Sequence, residues 1–438
     1  MNAAWAGVGS QGALAVLIVG SACSAPLLTA GGVTVSGDRL LGCGAVATVT
    51  VLAFRGGLHW TAIHSALAVF TGIQLLTSLL SAGSWPGGPK FSLMYVLGFC
   101  CFALMAECGR EPDSAQRAAQ IWVVTGAVLG FAGATLSVLA NILQTKLWGT
   151  AISERLAFPP TVNPYAPTVT FNEWNLYSSF LLVAFALSLW RWPSGAADGR
   201  LHRWSRFVPV AGIALGLVFG LTRAAWIAMA GLVAFWVWAR RPAWRQVGHL
   251  ILGVALGFAI QAAAIGVSPL YYRVLRPIET GTDFNMTVRF ATGTATVKSL
   301  AGASILGHGA GSSNSLEVHA PNAGPRRRDR RTLGPPRPKP FHAKPKAWNG
   351  NLVLFLLQDS GMVGLASFVA LGAVVGLAAR RTLRVTDAAA VRAVLVPLLA
   401  AGVALVFAFQ FTHGLWLMYP YIYLGLVTAA IKNAPLPG

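Results

Sequence analysis

The chain has 438 residues, of which 55% are hydrophobic and only 11% charged, with a formal net charge of +20. Soluble domains carry roughly 25% charged residues, so this composition excludes an ordinary water-soluble globular fold. The basicity does not argue for nucleic acid either, because much of it falls in short loops between apolar runs, where it faces anionic lipid.

Met1 to Gln11 has no basic segment, so the first apolar stretch reads as a retained span and not a cleaved signal. Apolar runs of 18 or more residues then recur; Leu250 to Val267 has no charge at all. Such runs are long enough for a bilayer core of about 30 Å. A membrane barrel would show alternating segments of about ten residues instead. The expectation is an all-α polytopic membrane protein with about twelve spans, near 12–33, 40–54, 61–82, 92–107, 118–143, 173–190, 207–221, 224–239, 248–267, 352–378, 393–411 and 414–431. Residues 1–150 hold helices 1–5, 151–267 hold helices 6–9, 268–351 form a large loop between spans 9 and 10, and 352–438 hold helices 10–12. A second long connection covers about 144–172. The five cysteines (Cys23, Cys43, Cys100, Cys101, Cys108) lie in or beside apolar spans with no C-x-x-C spacing, which points to core packing and not to metal or disulfides.

Lys and Arg in short loops set the orientation. With the N-terminus cytoplasmic, the inner loops and C-terminus hold fifteen, among them Arg55, Arg110, Arg240, Arg380 and Lys432. The short outer loops hold Arg39, Lys90 and Arg223, joined by Lys146 and Arg155 from the 144–172 connection. Both termini are therefore expected in the cytoplasm, and both long loops outside.

Four motifs occupy the expected outer face. Phe171-Asn172-Glu173-Trp174-Asn175 opens the sixth span. Asn172 suits an N-cap, and Glu173 falls in the first turn, where the helix dipole favours an acid. Glu173 is thus either part of a capped helix start or a rim carboxylate able to accept a proton. Leu221-Thr222-Arg223-Ala224-Ala225-Trp226 sets an arginine between two apolar spans. It reads either as a snorkelling side chain at a tight turn or as a cationic wall for an anion, with arginine suited to bidentate phosphate contacts. In the large loop, Thr287 to Thr292 leads toward a weakly amphipathic outer helix, followed by Gly307, Gly309 and Gly311, a turn that lets the backbone approach something closely. No strand precedes that turn, so a dinucleotide fold is not supported. Finally, Trp348-Asn349-Gly350-Asn351 re-enters the membrane and reaches Asp359-Ser360-Gly361. Asp359 is either a functional intramembrane acid or part of a side-chain-to-backbone motif at a helix break.

Between the last two motifs, residues 325–346 read PRRRDRRTLGPPRPKPFHAKPK, with nine basic residues and six prolines. Such a composition favours an extended segment over a packed one; it either suits docking on anionic lipid or is a compositional accident.

The ordered set T-F-N-E-x-N-L-Y, L-T-R-A-A-W, R-F-x-x-G-x-A leading to S-I-L-G-H-G-x-G-S, and W-N-G-N-L followed by D-S-G-M-V-G resembles the O-antigen ligase and polymerase family of bacterial membrane glycosyltransferases, from about residue 160 to 430. The resemblance implies a glycosyltransferase-C-like fold in the bacterial inner membrane. It implies transfer of a glycan from undecaprenyl pyrophosphate, with inversion, on the periplasmic side, and without metal or other cofactor. The acceptor would be lipid A-core for a ligase, or another lipid-linked repeat unit for a polymerase. Arg223 and Arg289 match the family's two pyrophosphate-binding arginines. Ligases often carry His-Asn where Gly350-Asn351 stand here, so Asn351 is kept and the histidine is not. His342, nine residues earlier, and Glu173 are then the candidate bases beside Asn351, with Arg155, His319, Trp348 and Asp359 as secondary candidates. A twelve-span transporter or flippase is the competing class. Transporters commonly repeat one half in the other, and the two halves here differ strongly in loop length.

Overall fold

In the computed structural model, the residues described are 3–30, 33–81, 88–111, 113–143, 153–155, 165–171, 173–190, 200–242, 244–267, 284–300, 305–312, 350–386, 389–412 and 414–432. Among them the helices are α1 (Ala3–Ser21), α2 (Gly37–Phe54), α3 (Ala62–Leu80), α4 (Gly88–Cys108), α5 (Ser114–Ile142), α6 (Trp174–Trp190), α7 (Arg200–Phe219), α8 (Arg223–Arg240), α9 (Trp244–Ile265), α10 (Phe284–Ser299), α11 (Leu352–Val385), α12 (Ala389–Phe409) and α13 (Tyr419–Lys432). Seven of these, α2 to α5, α9, α11 and α12, are long and apolar enough to cross a membrane. The chain is a helical, multi-pass membrane protein.

The expected segments all carry helix, with four shifts of boundary. The first span was expected over 12–33, but α1 stops at Ser21 and the chain turns into an antiparallel hairpin of β1 (Pro26–Ala30) and β2 (Val33–Ser36). Its base is tied to residue 170, as Ala25 N–H donates to the Thr170 carbonyl at 2.7 Å and the Thr170 hydroxyl to the Ala22 carbonyl at 2.6 Å. A second hairpin pairs β3 (Ser153–Arg155) with β4 (Tyr165–Pro167). α7 begins at Arg200, ahead of its apolar run. α11 continues to Val385, well past 378, because Arg380, Arg381 and Arg384 are good helix formers. α13 starts only at Tyr419.

α6 lies at the centre. Every residue from Leu176 to Trp190 is buried, so the helix has no polar face, and it packs against α5, α7, α8 and α12. Phe180 stacks on Trp122 of α5 with ring centroids 5.0 Å apart. By contrast α2, α9 and the second half of α11 turn Leu40, Val51, Leu252, Leu256 and Leu377 outward, as lipid-facing helices do.

The closest helix pair is α5 with α7. Gly130 of α5 faces Gly212 and Gly216 of α7, Gly126 lies against Ala184 of α6 and Ile213 of α7, and Gly133 lies against Tyr177 of α6; a Cβ added at Gly130 would overlap the Gly212 carbonyl. Lipid supplies no hydrophobic drive for helix pairing, so such seams depend on close backbone approach between small residues. The Tyr177 hydroxyl donates to the Leu129 carbonyl at 2.9 Å and locks α6 to the seam.

At one face, Glu107 at the end of α4 gathers three chain segments. His59 N–H donates to its Oε1 at 2.7 Å, Arg110 lies 3.4 Å from Oε2, and Lys432 at the end of α13 lies 3.8 Å from Oε1. Residues 59, 107 and 432 thus share a face of the bundle.

All five cysteines are free thiols, and burial pushes the Cys23 thiol, in the turn after α1, above its usual range. Cys100 and Cys101 are core residues, whereas Cys43 is exposed on α2 and does not fill the packing role expected of it.

The seam makes a testable claim. Gly130→Leu drives a side chain into α7, so its thermal midpoint in detergent is expected to fall by the equivalent of about 1–3 kcal/mol of overpacking. Gly231→Ala, whose added Cβ meets nothing within 4 Å, is expected to leave the midpoint unchanged.

Candidate functional site

The first half of the site is built on the α7–α8 turn. Leu221 holds the left-handed conformation at φ +50° while fully buried, a state that costs a non-glycine residue about 1–3 kcal/mol. It persists because its side chain packs with Ala166 of β4, against which Trp174 and Trp226 also pack. The Trp226 indole N–H donates to the Leu217 carbonyl at 2.9 Å and closes the turn from the other side. The strained turn delivers Arg223 as the first residue of α8, half-buried.

That position is electrostatically unusual. A helix N-terminus carries partial positive charge and ordinarily attracts acids. α8 has no acid in its first turn, and Thr222 makes no side-chain capping bond to it. Instead the Thr222 hydroxyl lies 3.0 Å from both Asn175 Oδ1 and the Gly220 carbonyl. The Asn175 amide donates to Glu173 Oε1 at 2.6 Å. A carboxylate, an amide and a hydroxyl therefore run in file from α6 to the residue beside Arg223. Glu173 sits one residue before α6 and not within its first turn, with its carbonyl accepting from Tyr177 N–H at 3.1 Å. Asn172, expected as a cap, lies outside the described residues. Arg155 is on β3, opposite Tyr165 and one register step from the Glu154–Ala166 pair, so its strand adjoins the residue that packs on Leu221.

The second half of the site surrounds Asp359. α11 breaks at Gly361 (φ 64°, ψ −162°), and the glycine turn 305–312 docks into the break. Gly307, Gly309 and Gly311 all take positive φ, as the expectation of a close backbone approach requires. What they approach is the protein's own helix. His308 N–H donates to the Gln358 carbonyl at 2.8 Å and Gly309 N–H to the Asp359 carbonyl at 2.9 Å. Gly311 N–H donates to Asp359 Oδ2 at 2.6 Å, and the Ser312 hydroxyl to Oδ1 at 3.2 Å. Asp359 is fully buried. Of its two earlier readings, the helix break is present, but the carboxylate's partners lie 48 and 47 residues away and are not local.

The docked turn is stitched to its neighbours as well. Ala310 N–H donates to the Ser78 hydroxyl of α3 at 3.0 Å, and Gln74 of α3 donates to the Ser360 hydroxyl at 2.8 Å. The Ser299 hydroxyl at the end of α10 donates to Gln358 Oε1 at 2.6 Å, and His308 Nε2 lies 3.0 Å from the Ser299 carbonyl. α10 is the helix expected in the large loop, and it carries Arg289.

Asn351 opens α11 as its N-cap, its side chain accepting from Leu354 N–H at 3.0 Å. That bond occupies the side-chain oxygen, so Asn351, expected at the catalytic site, serves as the cap of α11. The connection between α12 and α13 bridges the two halves of the site, with Trp416 against Phe355 of α11 at 6.4 Å and Gly414 approaching Leu176 of α6. Glu173, Arg223 and Asn351 thus share one face of the bundle. His319, His342, Trp348 and the basic stretch 325–346 lie outside the described residues.

The sequence reading passed over Asn175, Thr222, Ser299, Ser312 and Gln358. Ser312 closes the quoted S-I-L-G-H-G-x-G-S run, and Asn175 and Thr222 sit inside quoted motifs, so proximity to Glu173 and Arg223 was the available signal. Gln358 and Ser299 carried none.

An N-cap tolerates replacement by another capping residue. Asn351→Asp and Asn351→Ser are expected to keep the thermal midpoint, whereas Asn351→Ala loses about 1 kcal/mol, read by thermal unfolding in detergent. A scan against models of protein families finds none that matches the chain, and a search of curated proteins finds no match.

Proposed function

We propose that this protein is a glycosyltransferase of the O-antigen ligase type, moving a glycan from undecaprenyl pyrophosphate to lipid A-core or another glycan acceptor. In this reading about twelve spans cross a bacterial inner membrane with both termini cytoplasmic, and the 268–351 loop is periplasmic. The observation that carries the proposal is Arg223, set by a strained, buried turn at the start of a helix whose first turn has neither acid nor side-chain cap. Both the guanidinium and the amides of that turn favour an anion there. A pyrophosphate leaving group gains negative charge as its bond to the sugar breaks, so fixed donors at that point lower the barrier.

Glu173 would take the proton of the acceptor hydroxyl as that oxygen attacks the sugar carbon. Its carboxylate is oriented by Asn175, which is in turn fixed by Thr222. The resemblance adds Arg289 as a second pyrophosphate ligand and His342 as an alternative base. One observation favours a second reading, that of a polymerase joining lipid-linked repeat units: Gly350 stands where ligases often carry histidine, and Asn351 is engaged as a cap.

The test is transfer by purified protein from a radiolabelled undecaprenyl-pyrophosphate glycan. Arg223→Ala is expected to lower the rate by about 100-fold or more, with normal expression and thermal midpoint, and Arg223→Lys to recover part of it. Undiminished transfer in Arg223→Ala would remove this arginine from the mechanism. Absence of transfer by the wild type across several acceptors would sink the transferase reading. The outer-membrane glycolipids of a deletion strain separate the two readings: a ligase is needed for every capped lipid A-core, whereas loss of a polymerase leaves single-repeat caps.

A further inference from the structure

We infer that Asp359 is a positioning residue of the donor site, acting through the glycine turn on the helix that carries Arg289. The chain of contacts is continuous. Asp359 holds Gly311 and Ser312 through its carboxylate and Gly309 through its carbonyl. His308, in the same turn, reaches the Ser299 carbonyl at the last residue of α10, and Ser299 bonds back to Gln358 beside Asp359. Thr292 and Thr296 of α10 are buried, and Gly293 lies against Leu354 of α11. The C-terminal half of α10 is therefore clamped to the first two turns of α11, and the clamp closes on one carboxylate.

The chemistry of the clamp explains why an acid is used. Breaking a helix at Gly361 leaves its carbonyls short of intrahelical donors, and in a membrane each unmatched backbone group costs several kcal/mol. The turn supplies N–H groups to the carbonyls of residues 358 and 359, while its own next amide, that of Gly311, needs an acceptor. The two oxygens of Asp359 accept from Gly311 and Ser312 together, and hydrogen bonds away from water are strengthened by the low local dielectric. Asparagine keeps an oxygen for the Gly311 amide but reverses the Ser312 bond, leaving that hydroxyl's proton to the longer contact with the Gln358 carbonyl at 3.4 Å. The substitution therefore loosens the clamp at nearly constant volume.

A shift of about 1 Å in a group that orients substrate costs up to about 100-fold in rate. Loosening α10 is therefore expected to weaken donor binding before it slows the chemical step. This expectation about activity rests on the transferase reading, whereas the clamp itself is independent of it.

The experiment compares full-length wild type, Asp359→Asn and Ser312→Ala in lipid nanodiscs by amide hydrogen exchange and by donor-dependent transfer kinetics. Asp359→Asn is expected to speed exchange in residues 305–312 and in 292–299 of α10, with α5 to α7 unchanged. Ser312→Ala is expected to do so more weakly. In transfer, Asp359→Asn is expected to raise KM for the lipid-linked donor roughly tenfold with a smaller change in kcat. Unchanged exchange at 292–299 in both variants would refute the clamp, whatever the activity. If Asp359→Asn does not fold, Ser312→Ala decides alone: faster exchange confined to 292–312 supports the clamp, and wild-type exchange there overturns it. Faster exchange at 292–299 with an unaltered donor KM would refute the positioning role. Failure of wild-type transfer would count against the transferase reading and leave the exchange result standing.

Discussion

The buried carboxylate of Asp359 is the constraint on which one side of this bundle depends. A helix inside a membrane cannot simply stop, because the backbone groups released at a break have no water to turn to. α11 breaks at Gly361 two residues after Asp359, and the turn 305–312 fills the break with its own amides. Three glycines at positive φ make that turn sharp enough to enter, and the aspartate accepts the amide that the helix carbonyls do not. Through Ser78 and Gln74 the same junction fixes α3, and through Ser299 it fixes α10. Four segments, with α3 and α11 far from the other two in sequence, are held by a handful of hydrogen bonds, each more valuable for lying away from water.

Much of the helical framework was legible because hydrophobic length is a direct physical requirement of crossing lipid, and it leaves its mark in consecutive residues. Two kinds of error mark the limit of that signal. Residues 22–36 are as apolar as the helix before them, so hydropathy ran α1 straight through the hairpin of β1 and β2; the Gly31-Gly32 pair and the β-branched Val33, Thr34 and Val35 were the contrary sign. At α11 the arginines that end a lipid-buried stretch do not end a helix, so the element outran the span. The glycines of α5 and α7 were visible at spacings of three and four, but small residues signal a seam only once a partner is known.

The site was legible where position alone carried meaning. An arginine between two apolar spans must be accommodated somehow, and Arg223 stands at the start of α8 on a turn that the fold keeps under strain. Three glycines within five residues announced a close backbone approach, and they make one. The partner of that approach was not legible: a GxGxG turn looks the same whether it cradles a phosphate or a helix break, and the Asp359–Gly311 contact spans 48 residues. Asn351 shows the opposite failure. Its place in a motif suggested chemistry, while its geometry is that of an N-cap. Asparagine suits either role, so only the direction of its hydrogen bond separates them.

Strain at Leu221 and the packing of α6 belong to one argument. A left-handed leucine relaxes unless both flanking helices are held, and here they are held from different directions. α7 is fixed to α5 by backbone contact along the glycine seam, and α6 is pinned to the same seam by Tyr177. α8 is closed onto α7 by the Trp226–Leu217 bond, and Ala166 of the second hairpin covers the leucine side chain. Apolar packing deep in the bundle therefore supplies energy that holds the turn before Arg223 in place. In the proposed transferase, an anion at α8 would meet a cation and helix amides whose geometry is already fixed, so none of its binding free energy would be spent on ordering the turn.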